Sequence, residues 1–349
     1  MIANFAIIKI FLLTTAAFVL AIALTPWLTH YLYKYKAGKQ IRSSEMAPIY
    51  FQLHQKKAGT PTMGGIIIWL TVLLIAVILF YLDQLTSLTI FHNLNFLTRS
   101  QTLLPLGALV ASAIIGLVDD WLGLKKAGRR GQGLGVRHKL LIYTAIAAVG
   151  SWWFYFKLDW DLLHIPFLGN FEIGWWYIPI FIFIIVATSF SVNETDGLDG
   201  LAGGVLLTSF GSLAAIAFIL GKYDLATFCG VIIGALLAFL WFNINPARFI
   251  MGDTGSMSLG VTLGIVAMLT NTALLLPLIS IVLVIESLSV IVQLISKKLR
   301  HGKKVFLSAP IHHHLEAKGW PEPKIVMRFW VISGVSATIG LIIFLLDKV

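Results

Sequence analysis

The chain has 349 residues, 58% of them apolar and only 12% charged, with a mean hydropathy of +0.88. Such proportions lie far from a soluble average and exclude an ordinary set of water-soluble domains. The formal net charge of +10 would suit nucleic acid, but the cations are segregated into alternate loops between apolar runs, and nucleic acid is not an expected partner.

Runs of about 18 or more mostly apolar residues mark spanning helices. Ten candidates occur, at roughly 5–33, 64–82, 102–118, 140–157, 176–191, 201–220, 226–242, 256–270, 273–296 and 326–346. The first carries Lys9 and runs well past the length of a signal-peptide core, without a clear small-residue cleavage site, so it is expected to remain as a helix. The expected fold is an all-α polytopic membrane protein with about ten transmembrane helices, forming one integral membrane domain over 1–349. The single cysteine, Cys229, sits inside an apolar run and suits packing; it cannot form an intrachain disulfide or a cysteine zinc site.

The loops after odd-numbered helices are basic. The first holds Lys34, Lys36, Lys39, Arg42, Lys56 and Lys57. The second holds Lys125, Lys126, Arg129, Arg130, Arg137 and Lys139. With Arg248 and the cations of 297–328, only Lys9, Arg99, Lys157, Lys222 and Lys348 are left for the opposite side. The positive-inside rule places the basic loops in the cytoplasm and both termini outside. Topology and attraction to anionic lipid heads explain most of these charges. They do not explain the acids among them. Asp119, Asp120, Glu194, Asp196, Asp199 and Asp253 all fall on the basic side, whereas Asp83, Asp159, Asp161, Glu172, Asp224 and Asp347 fall outside and read as solvated loop charges. Glu286 alone falls within an apolar helix.

Five segments on the basic side carry chemistry. In KAGTPTMGG at 57–65, a lysine and threonine hydroxyls at a helix start suit an anion, or else mark a snorkelling lysine and a turn. Asp119 and Asp120 are a paired carboxylate at a helix end; adjacent helical side chains point about 100° apart, so one can be catalytic and the other structural. In NETDGLDG at 193–200, Asn193, Asp196 and Asp199 recur every third residue between glycines, as in a ligand-binding loop, although an Asp-Gly turn gives part of that pattern. In WFNINPARFIMGDTGS at 241–256, Asp253 sits between glycines before a helix, where free N–H groups would hold phosphate and the carboxylate a hard cation. In PIHHHLE at 310–316, His312, His313 and His314 are neighbours whose side chains diverge, a poor single-metal set better suited to hydrogen bonding or acid/base work. Carboxylates for a divalent cation, with lysines, histidines and Gly-rich backbone for phosphate, are the parts of phosphoryl transfer.

At these residues the chain resembles the polyprenyl-phosphate N-acetylhexosamine-1-phosphate transferases. The resemblance runs through GTPTMGG at 59–65, VDDW at 118–121, GLGVRHK at 133–139, the run from Asn193, WFN and MGD at 241–253, and SAPIHHHLEAKGWPEPK at 308–324. The triple histidine with KGWPEP resembles the muramoyl-pentapeptide branch and not the N-acetylglucosamine branch.

The resemblance implies transfer of phospho-N-acetylmuramoyl-pentapeptide from UDP-MurNAc-pentapeptide to undecaprenyl phosphate, giving lipid I and UMP with Mg²⁺, in the bacterial inner membrane and with a homodimer as a family expectation. It implies Asp253 as the Mg²⁺ ligand, and Asp119, Asp120 and His312 with Asp253 at the reaction centre. Lys57, Thr62, Asn193, Asp196, Asp199 and Asn243 match contacts to the nucleoside diphosphate sugar. Lys139, His313 and His314 match residues around phosphate and the peptidyl sugar. Three positions depart from the family pattern: Ile250 stands where a uracil-stacking Phe is usual, which would leave Phe249 to serve; Gly123 replaces a usual Lys, with Lys125 and Lys126 beyond; Glu194 replaces an apolar residue. The rival readings are the same chemistry on UDP-N-acetylglucosamine, a secondary transporter, and an intramembrane aspartyl protease; the last lacks the first glycine of its motif, at Ile250, and a Tyr-Asp partner.

Overall fold

A computed structural model describes residues 2–35, 37–38, 57, 59–125, 127 and 133–348 of the chain. Lys36, Lys39, Arg42, Lys56, Lys126, Arg129 and Arg130, named above among the loop cations, lie outside the described residues. The long helices are α1 (Ile2–Lys34), α2 (Ile66–Leu85), α4 (Leu103–Leu124), α5 (Val136–Lys157), α6 (Tyr177–Thr195), α7 (Leu201–Ile219), α8 (Tyr223–Asn243), α9 (Gly252–Leu269), α11 (Ile281–Leu299) and α13 (Glu322–Leu346). Short helices α3 (Thr89–Leu94), α10 (Leu276–Ile279) and α12 (Ile311–Ala317) lie between them, with one antiparallel hairpin of β1 (Leu162–Ile165) and β2 (Gly169–Glu172).

Among the described residues nine helices are long and apolar enough to cross a membrane. The expected tenth span, 273–296, is broken. Pro277 opens the one-turn α10, Ser280 leaves helical geometry at φ −116° and ψ 41°, and the chain restarts as α11. α11 is polar inward and apolar outward: Glu286, Ser287, Ser289, Gln293 and Ser296 are buried, while Leu288, Leu294 and Ile295 are exposed. Such a face suits contact with lipid tails.

α9 is the axle of the bundle. It packs against α2, α4, α5, α6 and α7, and 94% of its most apolar 18-residue window is buried. Its low hydropathy comes from Gly, Ser and Thr, residues that let helix backbones approach closely. One such approach sets the site. A Cβ at Gly116 of α4 would lie 2.3 Å from the Asp253 carbonyl oxygen at the start of α9.

At the opposite end of the bundle, three acids expected to be solvated are tethers. Asp224 accepts from the buried Lys9, which also donates to the Asn95 carbonyl. Asp83 accepts from Asn95 Nδ2 at 2.8 Å. Asp347, after α13, accepts from the Phe167 N–H and faces His164 Nε2 at 2.5 Å, so the hairpin is fastened to the end of the last helix. Asp347 and His164 are 183 residues apart in sequence, and Asp224 and Lys9 are 215 apart, which is why a local reading makes these two acids loop charges.

Candidate active site

Helix ends and the turns between them bring polar groups to one end of the bundle. The centre is the first turn of α9. Asp120 accepts the Asp253 N–H through Oδ1 and the Thr254 N–H through Oδ2, both at 3.1 Å. Asp196 accepts the Gly252 N–H at 3.0 Å. Carboxylates are favoured at a helix start by its unpaired N–H groups and dipole. The expectation that these N–H groups hold phosphate is therefore corrected: side chains of α4 and the 195–200 turn already take them. At the start of α2 the Gly64 and Gly65 N–H groups donate to the Ile250 and Met251 carbonyls at 2.8 Å, while the Ile250 N–H donates to the Pro61 carbonyl.

Asp119 and Asp120 divide as their helical spacing requires. Asp120 turns under α9, with the Thr62 hydroxyl 3.3 Å from its Oδ1. Asp119 accepts the Leu134 N–H at 2.5 Å and faces Lys139 of α5. The Lys139 ammonium lies 2.7 Å from Asp253 Oδ2 and 2.9 Å from Asp119 Oδ2, joining the two carboxylates. Its approach to Asp119 Oδ2 is an ion pair without hydrogen-bonding geometry, so that buried oxygen has no donor. Asn193 Nδ2 reaches Asp253 Oδ1 at 2.5 Å and the Ser256 hydroxyl at 3.0 Å.

Lys57, expected at substrate, is a latch. Its ammonium is 2.6 Å from Asp199 Oδ1 and 2.5 Å from Glu322 Oε1. Burial would lower its pKa, but the carboxylates of Glu322 and Asp199 outweigh that and raise it above the ordinary lysine value. Glu322 also accepts the Asp199 N–H, and Asn245 Nδ2 lies within 3.2 Å of both acids. Sequence reasoning missed Glu322 and Asn245. The only local signal was a carboxylate between prolines at the start of a long helix, where the dipole favours it.

Two further expectations change. Asn243 is buried and spent on backbone, accepting the Gly200 N–H and donating to the Phe249 carbonyl. Phe249 is fully buried and packs on Phe239 and Phe242 at ring separations of 5.8 and 6.0 Å. It is a core residue, enclosed by apolar side chains, and not an open platform for a nucleobase. Lys125, in the region of the missing family lysine, lies over the Trp121 ring at 4.1 Å.

The three histidines take three separate partners, as diverging neighbours must. His312 Nδ1 meets Glu286 Oε2 at 2.8 Å, His313 Nδ1 meets Glu316 Oε2 at 2.7 Å, and His314 Nδ1 accepts the Leu307 N–H at 3.1 Å. His314 is pushed below the ordinary histidine value by desolvation and nearby Lys318.

Among the described residues no group of three or more His, Cys, Asp or Glu forms a metal cage. That is compatible with Mg²⁺, which keeps waters and substrate oxygens and uses one or two protein carboxylates. Asp253 and Asp119 supply hard oxygen donors around a place where a cation, the Lys139 ammonium, already sits.

A bundle of apolar helices long enough to span a membrane, with carboxylates and a lysine gathered at one end, defines a polytopic membrane protein with a polar centre. Residues 102–271 match the model of glycosyl transferase family 4, and residues 57–68 match signature 1 of phospho-N-acetylmuramoyl-pentapeptide-transferase. Proteins with that transferase name are similar along nearly their whole length. One from Chloroflexus aggregans is 40% identical, over 95% of this chain and 88% of its own. Others come from Desulforapulum autotrophicum (39% identical, 93% and 89%) and Geobacillus thermodenitrificans (39% identical, 94% and 95%). The chain belongs to the phospho-N-acetylmuramoyl-pentapeptide-transferase family.

Proposed function

We propose that the chain transfers phospho-N-acetylmuramoyl-pentapeptide from UDP-MurNAc-pentapeptide to undecaprenyl phosphate, releasing UMP and forming lipid I, at the cytoplasmic face of the bacterial inner membrane with Mg²⁺ as cofactor. The observation that carries this reading is the Asp119, Lys139 and Asp253 centre at the start of the buried α9. The basic loops on that side support a cytoplasmic site and outward termini.

In this reading the acceptor phosphate oxygen attacks the sugar-side phosphorus, and the bond to the UMP oxygen breaks. A phosphate monoester loses its second proton near pH 6, so the acceptor needs no strong base at neutrality. Asp119 accordingly positions and does not abstract. Lys139 compensates negative charge on the diphosphate, and Asn193 orients Asp253. Asp253, with Asp119 beside it, would hold Mg²⁺, which would supply neutralisation of charge on the leaving phosphate.

Purified protein given undecaprenyl phosphate, Mg²⁺ and each UDP sugar in turn tests the donor. UMP release with UDP-MurNAc-pentapeptide is expected. Release with UDP-N-acetylglucosamine alone would move the chain to the other branch.

A further inference from the structure

Glu286 is a wholly buried carboxylate on the inner face of α11, where an uncompensated charge is expensive. Its Oε2 meets His312 Nδ1 at 2.8 Å. Its Oε1 has no hydrogen-bond partner, and neither has His312 Nε2. Two orphaned polar atoms in one buried pair are unusual, because such atoms are nearly always satisfied in folded proteins.

The direction of the second orphan is informative. A Cβ at Gly197 would lie 2.2 Å from His312 Nε2, so this nitrogen lies against the 195–200 turn at Gly197, where no side chain intervenes. The same turn carries Asp196 and Asp199, which tie down α9 and Lys57. A histidine nitrogen aimed at a substrate turn, with its other nitrogen fixed by a carboxylate, is an arrangement in which the carboxylate sets ring orientation and proton position.

We propose that Glu286 is a positioning residue, holding the His312 imidazole so that Nε2 donates to an anionic oxygen of the nucleoside diphosphate part of the donor at the Gly197 turn. The proposal deepens the transferase reading and rests on it. The groups facing the imidazole are Glu286 from α11, Glu316 from its own helix and Glu194 from α6, with the His313 ring 4.0 Å away. Burial would lower the His312 pKa; these carboxylates, Glu286 first, outweigh that and raise it above the ordinary histidine value. The Nε2-donating form is lost as pH rises through that value.

Glu286→Gln keeps the shape and removes the charge. The expected results are a fall in kcat of roughly tenfold to a hundredfold, the worth of a charge-assisted hydrogen bond, and an alkaline limb of the pH profile moved to lower pH. Glu286→Asp restores part of both, and thermal unfolding of each variant identifies any loss of fold. The second readout needs no turnover. In histidine-labelled protein, with the His312 signal assigned by its loss in His312→Gln, the ring titrates above ordinary histidine in the wild type and lower in Glu286→Gln. Added UDP perturbs Nε2 in the wild type and much less in Glu286→Gln. An unchanged alkaline limb and an unchanged ring titration in Glu286→Gln would overturn the proposal, as would UDP that leaves wild-type His312 unmoved. If wild-type protein releases no UMP from either donor, the transferase reading falls while the ring titration still decides whether Glu286 governs His312.

Discussion

Asp120 of α4 holds the first turn of α9 through two backbone hydrogen bonds, to the N–H groups of Asp253 and Thr254 at 3.1 Å. The backbone of the proposed metal ligand is thus positioned by a carboxylate 133 residues earlier, whose neighbour Asp119 faces Lys139.

Asp120→Ala removes this cap. The expected cost is on the order of 1–2 kcal/mol of stability, seen as a lower thermal midpoint in detergent, together with loss of UMP release as Asp253 shifts. Asp119→Asn is expected to lose UMP release with its midpoint nearly unchanged. Equal midpoints for the two variants would remove the division of labour.

Lys139 joins two carboxylates that repel one another without it. Lys139→Ala is expected to lower kcat by about a hundredfold or more, as loss of a preorganised charge does, while Mg²⁺ binding in the absence of donor becomes tighter. Calorimetric titration with Mg²⁺ checks the second part. Lys139→Arg is not expected to rescue, because a planar guanidinium does not replace a compact ammonium between two close oxygens.

The Lys57, Asp199 and Glu322 latch predicts coupling between positions 265 residues apart. Lys57→Met and Glu322→Gln each lower stability, and the double variant loses less than the sum, with a coupling of roughly 1 kcal/mol. Denaturation of all four members of the cycle measures it. Strict additivity would mean that Lys57 is not held by Glu322 in solution.

At the other end of the bundle the Asp347 carboxyl is held below the ordinary range, chiefly by the Phe167 N–H and then by His164. A carboxyl depressed in the folded state stabilises above its unfolded value and loses that contribution as pH falls. Hydrogen-exchange protection of the 162–172 hairpin is therefore expected to fade below about pH 4. In Asp347→Asn the protection is expected to be lower at neutrality and to vary little with acid.

Much of the fold was legible in the apolar runs, because a helix in lipid must satisfy its own backbone and so shows itself by length and composition. The gathering of Asp119, Asp120, Asp196, Asp199 and Asp253 was legible from helix parity alone, and the divergence of the acidic pair and of the histidines from helical geometry. The break at Ser280 was masked by continuous apolar sequence around Pro277. The use of the α9 N–H groups by Asp120 and Asp196, the Glu322 latch and the enclosure of Phe249 depend on partners far along the chain, which local pattern does not carry. Glu286 stood out as a buried charge, but its histidine lies 26 residues away on another element.

The account rests most heavily on Asp253. UMP release from UDP-MurNAc-pentapeptide, undecaprenyl phosphate and Mg²⁺ by purified Asp253→Asn protein is the most direct measurement. Near-total loss with the thermal midpoint preserved is the expected result. Release at the wild-type rate would contradict a reaction centre at the start of α9.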